Sequence, residues 1–179
     1  MTAKNMEERK LILINEFNRN EKLLYLKEEN LSDRKGYDEN FLGTKNFSIR
    51  LPVLEDFKFG SIAKNQQPGS NGNNYLDYTH FSVMHNKKYK LPYFTAVNND
   101  GDLNYLAMDH DERNGDNWDQ DYRLKIGTDF YQFDDEDYYK SGLQKGHMVR
   151  YFDPSWGNTE EIQKIAIGDT FFIQILALR

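Results

Sequence analysis

The 179-residue chain has no cysteine. That excludes a disulfide framework, a thiolate metal site and a cysteine nucleophile. Long hydrophobic runs are lacking as well. Leu11-Ile12-Leu13-Ile14 is closed off by Asn15 and Glu16, too short for the apolar core of a signal peptide and far short of a membrane span. No signal peptide is therefore visible and no membrane partner is expected; a cytoplasmic location and export by a non-classical route both stay open. Cations are outnumbered, 23 Lys and Arg against 29 Asp and Glu, a net charge of −6. That balance disfavours long-range attraction to nucleic acid, so nucleic-acid chemistry here must rest on a local basic site and depend strongly on salt. No His-x-x-His pair or carboxylate cluster has zinc-site spacing. The acidic stretch from Asp109 to Asp121 lacks the regular spacing and terminal Glu of a calcium loop.

Aromatic residues are plentiful, 15% of the chain with 12 Tyr and 12 Phe. They supply buried area that argues against disorder, and the length suits one ordinary domain. Internal repeats and low-complexity tracts are absent. Leu13, Phe17, Leu24 and Tyr25, spaced by charged residues, predict an amphipathic helix from Met6 to about Leu31. Residues 1–33 read as a helical segment and 34–179 as the main domain. Arg34 to Leu54 is loop-like, and Ser61 to Asn74, rich in Gln, Gly, Ser and Asn, reads as a surface loop or flap. Leu76 to Asn98 carries the clearest sheet signal, a hairpin whose apolar runs flank the polar turn His85-Asn86-Lys87-Lys88. Asn98-Asn99-Asp100-Gly101 supplies the next turn, with Leu103 to Met108 as a candidate further strand. Asp109 to Asp121 reads as an exposed excursion and Asp134 to Asp137 as a solvated loop. Asn158 with Glu161 has capping-box spacing, predicting a short helix over Glu160 to Ile167 stopped by Gly168.

The segment with most chemical content is Lys145-Gly146-His147-Met148-Val149-Arg150-Tyr151-Phe152-Asp153-Pro154-Ser155-Trp156-Gly157. A histidine placed here can take a proton from water, and flanking cations can hold a phosphate. His80 is expected to pack or hydrogen-bond at a strand-like position, His85 to lie in the hairpin turn and His110 in the acidic loop. Arg150 serves equally as a phosphate ligand or as the partner of Asp153.

This segment resembles the signature of the DNA/RNA non-specific endonuclease family, the ββα-metal nucleases, whose core reads Asp-Arg-Gly-His. The resemblance extends to Arg34-Lys35-Gly36-Tyr37-Asp38-Glu39-Asn40-Phe41-Leu42-Gly43, similar to the family's entry segment. Leu76-Asp77-Tyr78-Thr79-His80-Phe81-Ser82-Val83, followed by Phe94-Thr95-Ala96-Val97-Asn98 and Asp100-Gly101, resembles its first core hairpin. Trp118, Asp121 and Arg123 resemble the piece leading to the signature. Ordered similarity thus runs from about Arg34 to Phe172. It implies an α+β fold with a ββα-metal core, a central mostly antiparallel sheet and flanking helices. It also implies metal-assisted cleavage of DNA and RNA with little sequence preference. On that pattern His147 is the general base, Lys145 stabilises the transition state's negative charge, Arg150 binds substrate phosphate, and Mg2+ or another divalent cation assists.

The chain departs from the pattern at Gln144, where the family usually has Asp, and at Lys145, where it has Arg. Lysine keeps the charge but lacks the planar fork of a guanidinium. Tyr151 and Phe152 stand where one branch has Arg and Glu. The family's metal-ligand asparagine lies on a helix after a segment like Asp169-Thr170-Phe171-Phe172, so no metal ligand is assigned within this chain and the Asn is expected beyond Arg179. Read from the third base of the Phe172 codon, the tail can spell Tyr, Thr, Asn, a variable residue, Cys, Ser and Pro. The resulting expectation is a frameshifted or truncated chain whose C-terminal part is missing. Two other readings accompany the nuclease: an inactive remnant that at most binds nucleic acid, and a glycan-binding module suggested by acidity and exposed aromatics.

Overall fold

A computed structural model of the chain describes residues 31–52, 61–104, 120–124, 130–133, 135–142 and 145–165. The expected N-terminal helix, apart from Leu31, lies outside the described residues, as do His110, Trp118, Gln144 and the tail from residue 166. Leu31 itself opens a short 3-10 turn, Leu31–Asp33.

The organising element is a three-stranded antiparallel sheet in chain order. Its strands are β1 (Leu76–Tyr78), β2 (Phe81–His85) and β3 (Pro92–Val97). Registers Leu76↔Val83 and Tyr78↔Phe81, then Phe81↔Val97 and Val83↔Thr95, gather one set of side chains on one face. Alternation puts Asp77, Ser82 and Met84 on the other. The Tyr78 and Phe81 rings stack across the strands at 4.6 Å and 14°, a pairing that stabilises such a ladder.

Every residue of β1 and β2 is buried, polar ones included, because irregular chain covers the second face. There the Asp77 carboxylate accepts from the Ser82 hydroxyl (2.6 Å) and from the side-chain and backbone N–H groups of Asn71 (2.9 Å each). Gly36 crosses directly above this network. A Cβ at Gly36 would press into Asp77 and lie 2.6 Å from Ser82 Oγ, and its φ of +73° disfavours any side chain. The entry segment therefore docks on the sheet through a glycine. The Tyr37 N–H donates to Ser82 Oγ (2.8 Å).

Several expectations need correcting. Leu76 to Val83 is not one strand, since Thr79 and His80 form a two-residue turn between β1 and β2, with His80 at φ +66°. His80 thus sits in a turn rather than in a strand. His85 is the buried last residue of β2, and the connection to β3 begins after it. Leu103 and Asn104 belong to a turn closed on Asp100, so they do not start a strand; Tyr105 to Met108 lie outside the described residues. Of the two readings of Ser61–Asn74, it is a surface loop pinned at its start rather than a flap. Ile62, Ala63 and Asn65 are buried, and Ala63 N–H donates to His85 O (2.9 Å). The acidic run contains one helical turn, α1 (Asp135–Tyr138). Asp121 is buried rather than part of an exposed excursion.

The second helix, α2 (Thr159–Lys164), has the predicted Asn158 cap and starts one residue before the predicted Glu160. Asn158 Oδ1 accepts from the Glu161 N–H and the Glu161 carboxylate accepts from the Asn158 N–H, both at 3.0 Å. Ile162 and Ile165 face inward, and Ile165 packs with the buried Tyr151.

Candidate functional site

The signature segment divides into two halves. Lys145, Gly146 and His147 lie in irregular chain and are half-buried. The Lys145 ammonium lies 5.7 Å from the Tyr138 ring centroid, a loose cation–π contact that anchors it on α1. From Arg150 onward the chain winds into successive turns. Asp153 N–H donates to Arg150 O (3.0 Å), Ser155 N–H to Phe152 O (3.3 Å) and Trp156 N–H to Pro154 O (2.9 Å). The Ser155 hydroxyl donates to Tyr151 O. Val149, Tyr151 and Ser155 are buried, so this half is fixed from beneath while its charged residues point outward.

Arg150 is one of those. Its side chain is 82% exposed and its guanidinium pairs with the Asp153 carboxylate at 2.7 Å. The ion pair, one of the two roles open to it in the sequence, is thus formed. Its hydrogen bond to Asp153, helped by that group's charge, raises the pKa of an already permanent cation.

Trp156 ties the segment to the rest of the domain. Its ring stacks on the His80 imidazole at 3.5 Å and 8°, and lies 5.2 Å from the Phe41 ring. Its indole N–H donates to Asn98 O (2.8 Å). Asn98 in turn accepts from the Asp38 N–H (2.7 Å) and donates to Asp38 O (3.0 Å). One indole thereby joins the entry segment, the β1–β2 turn, the end of β3 and the signature. His80 fulfils its expected packing and hydrogen-bonding role: Nδ1 lies 2.9 Å from Pro154 O, and Nε2 is 3.7 Å from the Glu161 carboxylate that caps α2. A cavity of about 150 Å³ opens beside it, lined by Arg34, Lys35, Thr79, Glu161 and Lys164 among others. Its charges are of both signs.

A second cluster packs against β1. Arg123 and Asp121, both buried, form an ion pair at 2.7 Å, and Arg123 Nη1 donates to Asp77 O (2.7 Å). The Tyr78 hydroxyl donates to Asp121 (2.6 Å), and the guanidinium lies 4.6 Å from the Tyr78 ring centroid. Burial opposes ionisation of Asp121, but the Arg123 charge and the converging hydrogen bonds win and hold its carboxyl below the usual range. For Tyr78, burial and the Asp121 charge push the phenol well above its ordinary value. The group is a fully satisfied buried pair that holds residues 121–124 against β1. Sequence reasoning took Asp121 and Arg123 as markers on the way to the signature and missed this role. The short Asp-x-Arg spacing was the available signal.

The similarity to known proteins covers most of these elements. The description "DNA/RNA non-specific endonuclease" belongs to a family model that matches residues 59–173, from before the sheet to just past the described end of α2. The uncharacterized protein y4fB of Sinorhizobium fredii (strain NBRC 101917 / NGR234) is 36% identical over 146 residues, 77% of this chain and 20% of that protein. The chain therefore spans about a fifth of that relative's length. No solved structure matches it. The match runs through the three-stranded sheet, the Asp121–Arg123 pair and the whole signature, and on that extent the chain belongs to the DNA/RNA non-specific endonuclease family.

Proposed function

We propose that this chain is a metal-dependent, sequence-non-specific endonuclease that cleaves phosphodiester bonds of DNA and RNA. The observation that carries the reading is the family match, which includes the entire segment from Lys145 to Gly157. His147 acts as general base. Its imidazole takes a proton from water, and the resulting hydroxide attacks phosphorus in line with the leaving oxygen. Lys145 supplies a cation for the negative charge that accumulates in the transition state. Its ammonium also keeps a loose contact with the Tyr138 ring. Arg150, itself exposed, reaches a neighbouring phosphate by exchanging its half-buried Asp153 partner.

A divalent cation, magnesium first, belongs to the proposal as a property of the family, where it would neutralise charge on the phosphate. Among the described residues no three His, Cys, Asp or Glu side chains converge into a group that could hold it. Its ligands are left open, and the proton transfer and charge balance above are the work of the chain's own side chains.

Plasmid DNA and total RNA incubated with the purified chain, with magnesium and with chelator, test the reading. Cleavage abolished by chelator is expected. His147→Ala should slow it by about two to four decades, and the wild-type rate should fall as acid protonates the imidazole. Unchanged cleavage by His147→Ala would remove the base assignment. The departures at Gln144 and Lys145 favour a second reading, a nucleic-acid-binding protein that does not cut. Retained binding with no cleavage under any divalent ion would select it.

A further inference from the structure

The segment from Asp38 to Leu51 forms a compact loop closed at its base. Ile49 N–H donates to Glu39 O (2.8 Å), Leu51 N–H to the Glu39 carboxylate (2.9 Å) and the Tyr37 hydroxyl to Ile49 O (3.1 Å). Its far part is unusually apolar for an exposed surface: Leu42 is 63% exposed, Phe47 66% and Ile49 55%. Exposed apolar groups clustered on one short loop mark a contact surface. Phe41, Leu42, Ile49 and Val97 also wall a cavity of about 180 Å³ rimmed by Asp38 and Asn99. Between Phe41 and Leu51 the charged residues are Lys45 and Arg50, with no acid, in a chain of net charge −6. Both are exposed and neither has an ion pair among the described residues. Lys45 moreover holds a left-handed backbone at φ 61°, which a lysine rarely adopts. Phe41, at the root of the loop, touches Trp156 of the signature segment.

We propose that this loop docks an unpaired nucleic-acid strand, with Phe47 stacking on a base and Lys45 and Arg50 holding phosphates. Aromatic faces and cations in alternation are what single strands of any sequence require. The tie through Trp156 anchors the loop on the segment that carries His147, and for that reason a substrate strand is preferred to a lipid surface, which the same side chains could also meet. The inference rests on the nuclease reading for its choice of ligand, and its test does not depend on cleavage.

Anisotropy of a labelled mixed-sequence single-stranded oligonucleotide, titrated with the full chain in chelator, reads the proposal directly. Phe47→Ala should weaken binding about tenfold or more, and Phe47→Leu, which keeps apolar bulk without a stacking ring, should weaken it too. Phe47→Trp should restore it. Replacing Lys45 and Arg50 together by Gln should flatten the dependence of log affinity on log salt by about 1.4, about 0.7 for each phosphate contact. Absence of wild-type binding, or equal affinity for wild type and Phe47→Leu at equal thermal stability, overturns the loop assignment. So does selective loss of binding to phosphatidylcholine–phosphatidylglycerol vesicles with oligonucleotide affinity unchanged. Loop-dependent binding without cleavage by any divalent ion would retain the docking surface and remove the nuclease reading. Chelator-sensitive cleavage without loop-dependent binding would do the reverse.

Discussion

His85 ends β2 in a place water scarcely reaches. Its Nδ1 has no hydrogen-bond partner, its ring meets Phe130 edge-on at 6.3 Å, and burial lowers its pKa to about 4 despite the opposing charge of Asp121. The folded state therefore resists a proton that the unfolded chain accepts near its ordinary value of about 6.5. Stability from this residue is complete above that pH and drains away as pH falls toward about 4. The loss should approach about 3 kcal/mol across that window, as an order of magnitude. Urea unfolding at a series of pH values should show this slope in the wild type, and His85→Leu should flatten it. Equal slopes in both proteins would show that another group governs acid sensitivity. Asp121 has the same sign: burial opposes its ionisation, but Arg123 holds its carboxyl low, so its contribution is lost at still lower pH.

Among the elements, α2 shows how a short helix is made to persist. Among the described residues its helical span is Thr159–Lys164, capped by Ile165, and propensity alone does not sustain so short a span. The reciprocal Asn158–Glu161 cap satisfies two backbone donors, and Ile162 and Ile165 bury one face. Lys164, in the last turn, bonds Asp33 and Glu160 at 3.0 Å each. Asn158→Ala should cost about 1 kcal/mol, seen as a fall of about 2–4 °C in Tm for a domain of this size. No shift would mean that burial of the two isoleucines holds the helix unaided. The sheet is stabilised differently. Among the described residues its second face is covered by irregular chain, and the Asp77–Asn71–Ser82 network supplies polar packing there.

For the whole molecule the governing quantity is charge. A chain of net charge −6 gains little from long-range steering toward a polyanion, so whatever holds nucleic acid must be local and cationic. Under the proposed function, the log of the cleavage rate at subsaturating plasmid should fall linearly with log salt. The slope should be about −0.9 for each phosphate neutralised on duplex DNA. A rate indifferent to salt would argue against Lys145, Arg150 and the Lys45–Arg50 loop as phosphate ligands together. The Trp156 clasp belongs to this scale as well, because it joins four separate stretches of chain around one ring.

Local patterns were enough to read the β2–β3 hairpin, the Asp100 turn and the Asn158–Glu161 cap, since each depends on residues close in sequence whose geometry is nearly self-contained. The order of motifs also carried the family, because Gly146-His147 with Asp153-Pro154 and Trp156-Gly157 is specific enough to identify without coordinates. Contacts between distant stretches were not legible. His85 looked like a turn residue from its polar neighbours, yet it is buried because the 61–63 segment bridges onto the end of β2. Asp121 looked solvated among acids, yet it lies beneath Arg123 and Tyr78. Thr79-His80 carries no strong turn signal; the β1 register and the Trp156 ring make it a turn. Composition and spacing thus determined the short-range elements, the signature and its candidate base. Tertiary structure alone decided which polar residues are buried and how the signature is clasped, because burial follows from packing partners remote in sequence rather than from a residue's own polarity.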